Sequence, residues 1–144
     1  MKIFVINGPN LNMLGKRDPE KYGERTLAQI KQLLQQIAKQ KNVSLIFFQS
    51  NHEGEIIDVL QKQKADGILI NPGALTHYGY SLRDALEDSG SPAVEVHLSN
   101  IEEREEFRKI DVFTGIVRAR IMGKKEQSYV IGLKKLLEVI NHEH

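Results

Sequence analysis

Cysteine is absent from these 144 residues. That excludes disulfides, thiolate metal sites and a cysteine nucleophile, and it fits a reducing compartment such as the cytoplasm. An excess of one charge is absent too. Twenty basic residues face 19 acidic ones, for a net charge of +1, so no basic field is available for sequence-independent nucleic-acid binding. No apolar run approaches the ~18–20 residues of a membrane span. The chain opens directly on a strand-like run, so no signal peptide is expected. GxGxxG, GxxxxGKS/T and HExxH are all missing, which removes the usual signals for dinucleotide, nucleoside triphosphate and zinc-protease chemistry. The end of the chain, Asn141-His142-Glu143-His144, has metal-ligand residue types but reads as a solvated tail. With no internal repeat and no low-complexity tract, one domain over residues 1–144 is expected. A domain of that size buries roughly 68–70% of its unfolded surface, enough for a core without staples.

What is present is a regular alternation. Apolar runs at Ile3–Ile6, Val43–Phe48, Gly67–Ile70 and Ala93–Val96 are nearly continuous in Val, Ile, Leu and Phe, as expected of strands covered on both faces. A fifth run, Gly115–Met122, alternates Val117, Ala119 and Ile121 with Arg118 and Arg120, the pattern of an edge strand with one wet face. Between the runs lie helical patterns. Thr26 and Gln29 form a capping-box pair, and Leu27, Ile30, Leu34 and Ile37 follow on one helical face. Further helices are expected over Glu53–Gln63, Tyr80–Glu87, Ile101–Phe107 and Ser128–Asn141. Strand and helix alternate five times with short spacings. This predicts an α/β, flavodoxin-like, doubly wound sheet of five parallel strands with helices on both faces. Ligands of such sheets bind beyond the carboxyl ends of the strands.

Those ends are where the polar residues gather. The segment Asn7–Gly23, after the first strand, exceeds the about 12–15 residues beyond which loops are usually functional or disordered. It carries Asn10, Arg17 and Tyr22. Gln49-Ser50-Asn51-His52-Glu53 follows the second strand and Asn71-Pro72-Gly73-Ala74-Leu75-Thr76-His77 the third. His97-Leu98-Ser99-Asn100 follows the fourth, with Arg104 and Arg108 behind it. Tyr22 suits a phenolate base, because a guanidinium at Arg17, with a second at Arg104 or Arg108, favours the charged phenolate. Glu95 and His97 share a strand face, so the carboxyl can orient the ring of a general acid. Arg104 and Arg108, four apart on an expected helix, would face an anionic or polyhydroxylated ligand together. The amides of Leu98 and Ser99 lead into a helix start suited to a carboxylate.

Taken in order, these blocks resemble the type II 3-dehydroquinate dehydratase family. The matching segments are Asn7-Gly8-Pro9-Asn10-Leu11, Leu14-Gly15, Arg17-Asp18-Pro19 and Tyr22-Gly23. They continue through Gln49-Ser50-Asn51, Glu53-Gly54, Asn71-Pro72-Gly73-Ala74, Thr76-His77 and Leu82-Arg83-Asp84-Ala85. Glu95-Val96-His97-Leu98-Ser99-Asn100 and Arg104-Glu105-Glu106-Phe107-Arg108 complete the set. The resemblance implies a trans-elimination of water from 3-dehydroquinate to 3-dehydroshikimate, a step of the shikimate or quinate pathways. Tyr22 would take the C2 proton, with Arg17 as its activating cation. Asn10 and a bound water would stabilise the enolate. His97, oriented by Glu95, would protonate the departing C1 hydroxyl. Asn71, Leu98 and Ser99 would hold the carboxylate and nearby oxygens, His77 and Arg108 the ring hydroxyls, and Arg104 would lie near the Tyr22 loop. The resemblance implies no metal, flavin or nicotinamide. It implies a homododecamer built from trimers, in which Asp84 reaches a neighbour's site.

Three segments depart from the family's pattern. Tyr78-Gly79-Tyr80 replaces smaller polar residues. Lys109-Ile110-Asp111-Val112-Phe113 stands where a polar His-Ser-like stretch is usual. Ala119–Tyr129 replaces a Gly-rich segment. The residues alone also leave open a non-catalytic module binding a small anion, and a metal hydrolase built on His77 and His97, which lacks a clear third ligand.

Overall fold

The computed structural model describes residues 1–143; the last residue of the expected solvated tail, His144, lies outside the described residues. Five strands form one sheet: β1 Lys2–Asn7, β2 Ser44–Gln49, β3 Gly67–Asn71, β4 Ala93–His97 and β5 Ala119–Met122. All neighbours pair in parallel, in the order β2-β1-β3-β4-β5. The helices are α1 Pro19–Tyr22, α2 Leu27–Gln40, α3 Glu53–Lys62, α4 Tyr80–Asp88 and α5 Gln127–Glu143. This is the expected doubly wound, flavodoxin-like α/β sheet.

Strand alternation assigns the two cores. Ile3 and Val5 of β1, Leu69 of β3 and Val94 and Val96 of β4 pack with α2 and α5. Phe4, Ile6, Ile68 and Ile70 point the other way, into the cluster with α3, α4, Val112 and Phe113. Fully burying one such side chain is worth roughly 1.5–3 kcal/mol. Gly132 of α5 lies so near the sheet that a Cβ there would meet Val96 Cγ1 at 2.4 Å.

The sequence expectations need four corrections. β2 is an edge strand, and its residues from Leu45 to Gln49 are only half-buried. Its apolar run reads as central because side chains of both layers still lean on it. β5 begins at Ala119, four residues later than expected, since Gly115 (φ +91°) sits in a turn. Arg120 does not face water freely. The β5 register sets it opposite Glu95, where it bonds Asp111 and Glu102. Finally, Ile101–Phe107 is not one helix but two 3-10 turns, Ile101–Glu103 and Glu106–Lys109. Arg104 is the extended residue ending the first turn, so helical i,i+4 spacing does not relate it to Arg108.

The long loop after β1 has its own structure. A 3-10 turn covers Leu11–Met13, and α1 follows, with Asp18 accepting from the Glu20 N–H at 3.0 Å and Pro19 at its first position. The capping box of α2 is present in both directions, at 2.9 Å and 3.2 Å.

Candidate active site

The carboxyl ends of β1, β3 and β4 open into one cleft with about 570 Å³ of space unfilled by protein atoms, part of it open to solvent. Its walls carry Asn10, Arg17 and Tyr22 from the first loop, Asn71 and His77 from the third, and His97, Leu98, Ser99, Arg104 and Arg108 from the fourth. Nearly every residue singled out in the sequence therefore meets here. Glu95 stands behind His97 and is fully buried. Asp84 is the exception. It lies exposed on α4, with Arg83 at 3.9 Å, and does not line the cleft.

Two close loop crossings shape the floor. A Cβ on Gly8 would fall 2.3 Å from Pro72 O, and one on Gly73 (φ +61°) would fall 2.8 Å from Pro9 O. Only glycine lets these backbones touch. Asn10 takes a left-handed conformation (φ 69°), and its N–H is fixed by Asn51 Oδ1 at 3.0 Å. Asn51 Oδ1 also accepts from Gln49 Nε2 at 3.2 Å. The loop after β2 thus supports the cleft from behind.

The tyrosine wall is cationic. The Arg17 guanidinium carbon lies 3.8 Å from the Tyr22 ring centroid, and that of Arg104 lies at 5.3 Å. Both are within cation–π range. Arg104 reaches Ser99 Oγ at 3.4 Å, while its Nε is buried with no partner. A buried guanidinium N–H without an acceptor is costly unless a ligand supplies one. Arg108 keeps one side on Glu105.

The histidine wall pairs a half-buried His77 with a buried His97. His77 donates from Nδ1 to the Ile110 carbonyl at 2.7 Å, which leaves Nε2 as its free nitrogen. His97 Nε2 is 2.5 Å from Glu95 Oε2. Burial pushes Glu95 up to about 10, reinforced by its hydrogen bond to Asp111 and that residue's negative charge, and opposed by Arg120. Burial likewise pushes His97 down, to about 4, with Asp111 opposing. Both shifts favour uncharged forms.

Asn71 shows something composition did not signal. Its side chain donates to Tyr129 Oη at 3.0 Å and accepts from the Gly73 N–H at 3.1 Å. Tyr129 in turn donates to Asn7 Oδ1 at 2.5 Å. Tyr129 is fully buried, and burial raises its phenol above the ordinary range. This network ties the ends of β1 and β3 to α5. Two buried strand-end asparagines were visible in the sequence, but their partner sits 58 residues beyond Asn71. Asp111 and Arg120 carry no such local signal either. The one group of potential metal ligands among the described residues is Glu95, His97 and Asp111, and it does not include His77.

The family model described as dehydroquinase class II matches residues 1–137. The chain belongs to the class II dehydroquinase family. A protein of Roseiflexus castenholzii named 3-dehydroquinate dehydratase is 52% identical over 139 residues, covering 95% of this chain and 88% of that protein. One of the same name from Carboxydothermus hydrogenoformans is 51% identical over 142 residues, covering 97% of this chain and 92% of that one. Among solved structures, the type II dehydroquinase of Butyrivibrio crossotus superposes with a TM-score of 0.92 at 44% identity, covering 95% of this chain and 97% of that one. That of Propionibacterium acnes gives 0.83 at 33%, covering 93% and 94%.

Proposed function

We propose that this chain is a hydro-lyase that removes water from 3-dehydroquinate without a cofactor, residues 1–144 acting as one catalytic domain. Family membership supports the reaction class, and one observation carries the mechanism: a tyrosine flanked by two guanidiniums faces a buried histidine across a single cleft. Removing a proton next to a ketone needs a base, a stabiliser for the enolate and an acid for the leaving hydroxyl. Tyr22 is the base, and Arg17 with Arg104 supplies the counter-charge of its phenolate. Asn10 helps bind the enolate oxygen through a water. His97 delivers the proton to the departing C1 hydroxyl. Asn71, the Leu98 and Ser99 amides and the Ser99 hydroxyl hold the substrate carboxylate side, and the unpartnered Arg104 Nε adds a donor for an anion. His77 and Arg108 take ring hydroxyls, His77 through its free Nε2.

The same reading makes the protein a cytoplasmic homo-oligomer, a dodecamer built from trimers. No helix among the described residues is long and apolar enough to cross a membrane. Asp84 lies outside its own cleft on the same α4 face as Tyr80, which is 65% exposed, with exposed Tyr78, Phe107 and Ile110 as further apolar rim residues. Such a rim suits a neighbouring copy whose site receives Asp84. The test of function is direct. Purified, metal-stripped protein given 3-dehydroquinate develops the near-ultraviolet absorbance of a conjugated enone carboxylate. A folded sample that binds the compound and produces no such absorbance rejects the lyase and favours an anion-binding module.

A further inference from the structure

Behind His97, Glu95 belongs to a cluster whose other members the proposed reaction does not use. β4 and β5 pair Glu95 with Arg120. Ile121 and Ala119 pack into the opposite core, so Arg120 projects on the Glu95 side. There its Nη1 bonds Asp111 Oδ2 at 3.0 Å, and its Nη2 bonds Glu102 Oε1 at 2.5 Å. The Asp111 segment is held on both sides. The Ile110 carbonyl accepts from His77, the Val112 N–H donates to Thr76 O at 2.8 Å, and Asp111 Oδ1 accepts from the Phe113 N–H at 2.9 Å.

Two carboxyl groups, Glu95 and Asp111, therefore meet in a buried place with one guanidinium. Asp111 has a donor on each oxygen. Glu95 Oε2 has His97, but Glu95 Oε1 is buried and no N–H or O–H of the protein reaches it. Side-chain oxygens of Glu95 and Asp111 lie within 4.8 Å of each other in this buried place, an approach that a proton between the two acids would stabilise. Like-charged carboxyls in contact cannot both ionise. The donors on Asp111 fix it as the ionised partner, so the proton resides on Glu95.

We propose that Asp111, anchored by Arg120, shares one proton with Glu95 and acts as a positioning residue for His97, keeping the carboxyl against the imidazole un-ionised while the ring is neutral. Glu95 Oε1–H donates to Asp111 and Glu95 Oε2 accepts from His97 Nε2–H. When His97 gains a proton at Nδ1, the shared proton moves from Glu95 to Asp111. The pair keeps its single negative charge but now presents it to the imidazolium. The groups facing this proton are His97 on β4, Asp111 before β5, Arg120 on β5 with its partner Glu102, and His77, which lines the same cleft as His97. A divalent cation in the same cluster would sit against the Arg120 guanidinium, which favours the proton as occupant.

This inference rests on the lyase reading only for its catalytic use, and its test reads the groups themselves. Infrared difference spectra of the purified chain at neutral pH are expected to show an un-ionised carboxylic acid band, lost in both Glu95→Gln and Asp111→Asn. Ring-labelled histidine NMR follows His97. Asp111→Asn donates an amide N–H to Glu95, which then stays ionised, so the His97 midpoint rises by about one pH unit or more. Glu95→Gln mimics the un-ionised acid, donating to Asp111 and accepting from His97, so the midpoint stays near the parent value. In an active enzyme the alkaline limb of turnover moves upward with the Asp111→Asn midpoint. Absence of the acid band in the parent, whether from an ionised Glu95 or a bound cation, overturns the proposal. So does an unmoved midpoint in Asp111→Asn, or a large fall in Glu95→Gln. Lack of turnover in the parent rejects the lyase reading and leaves these two spectra to decide the shared proton.

Discussion

The two walls of the cleft are built on opposite plans. Tyr22 ends a four-residue helix in a loop, is half-buried, and meets its cations through a ring face. His97 ends a central strand, is 4% exposed, and bonds Glu95, which lies within 4.8 Å of Asp111, the partner of Arg120 on the next strand. The first wall is local and close to water. The second is long-range and dry. A base must form an anion, which nearby cations and water favour. An acid that works through a buried ring needs its proton count fixed by neighbours, because burial alone drives the ring toward neutrality.

The largest effect that sharpens this contrast is on rate. Tyr22→Phe is expected to lower kcat by about 10²–10⁴-fold, the usual span for a lost general base, with ligand binding retained. Its melting temperature should match the parent's, since the hydroxyl belongs to a half-exposed ring. Full activity in this variant would remove Tyr22 from the role. Deep in the sheet the balance reverses. Tyr129→Phe strips a partner from Asn7 Oδ1 and Asn71 Nδ2, both buried, and should cost about 1–3 kcal/mol in denaturant unfolding. A loss within error would mean the network is not structural.

The dry wall also predicts a pH signature. Glu95 is raised by burial and Asp111, so the folded state holds a proton that the unfolded chain has released. Its contribution is fully present below the ordinary carboxyl range and is lost as pH rises toward about 10. His97 is lowered, so its contribution is present above the ordinary imidazole range and is lost as pH falls toward about 4. Stability should therefore decline above neutrality, and Glu95→Gln should flatten that decline. An equal alkaline slope in both proteins would contradict the assignment. Smallest is the support of the loop's far end, where Thr26→Ala should cost about 1 kcal/mol through the lost cap and leave kcat unchanged.

The same contrast explains what could be read from the chain. The sheet, the cap at Thr26 and the polar strand ends follow from local patterns, and so Tyr22, Arg17, His77 and His97 were found together. α1 too carries a local signal, an N-cap Asp18 followed by Pro19 at the first helical position. The buried networks had none. Asp111 follows two exposed residues and reads as a surface acid. Arg120 alternates with apolar neighbours and reads as the wet face of an edge. Only the β4–β5 register and the pinning of residues 110–113 turn both toward Glu95. The paired arginines show the opposite failure: helix spacing predicted that Arg104 and Arg108 share a face, yet two 3-10 turns bring both to the cleft by another route.

Proton exchange tests the division between base and acid most directly. In D₂O, His97→Asn should exchange the C2 hydrogen of 3-dehydroquinate for deuterium while releasing little 3-dehydroshikimate, because the tyrosine wall still forms the enolate and the half-exposed phenol trades its proton with solvent. Tyr22→Phe should do neither. Exchange at the parent rate in Tyr22→Phe, or its loss in a His97→Asn protein that still binds substrate, would contradict the separation of the two walls.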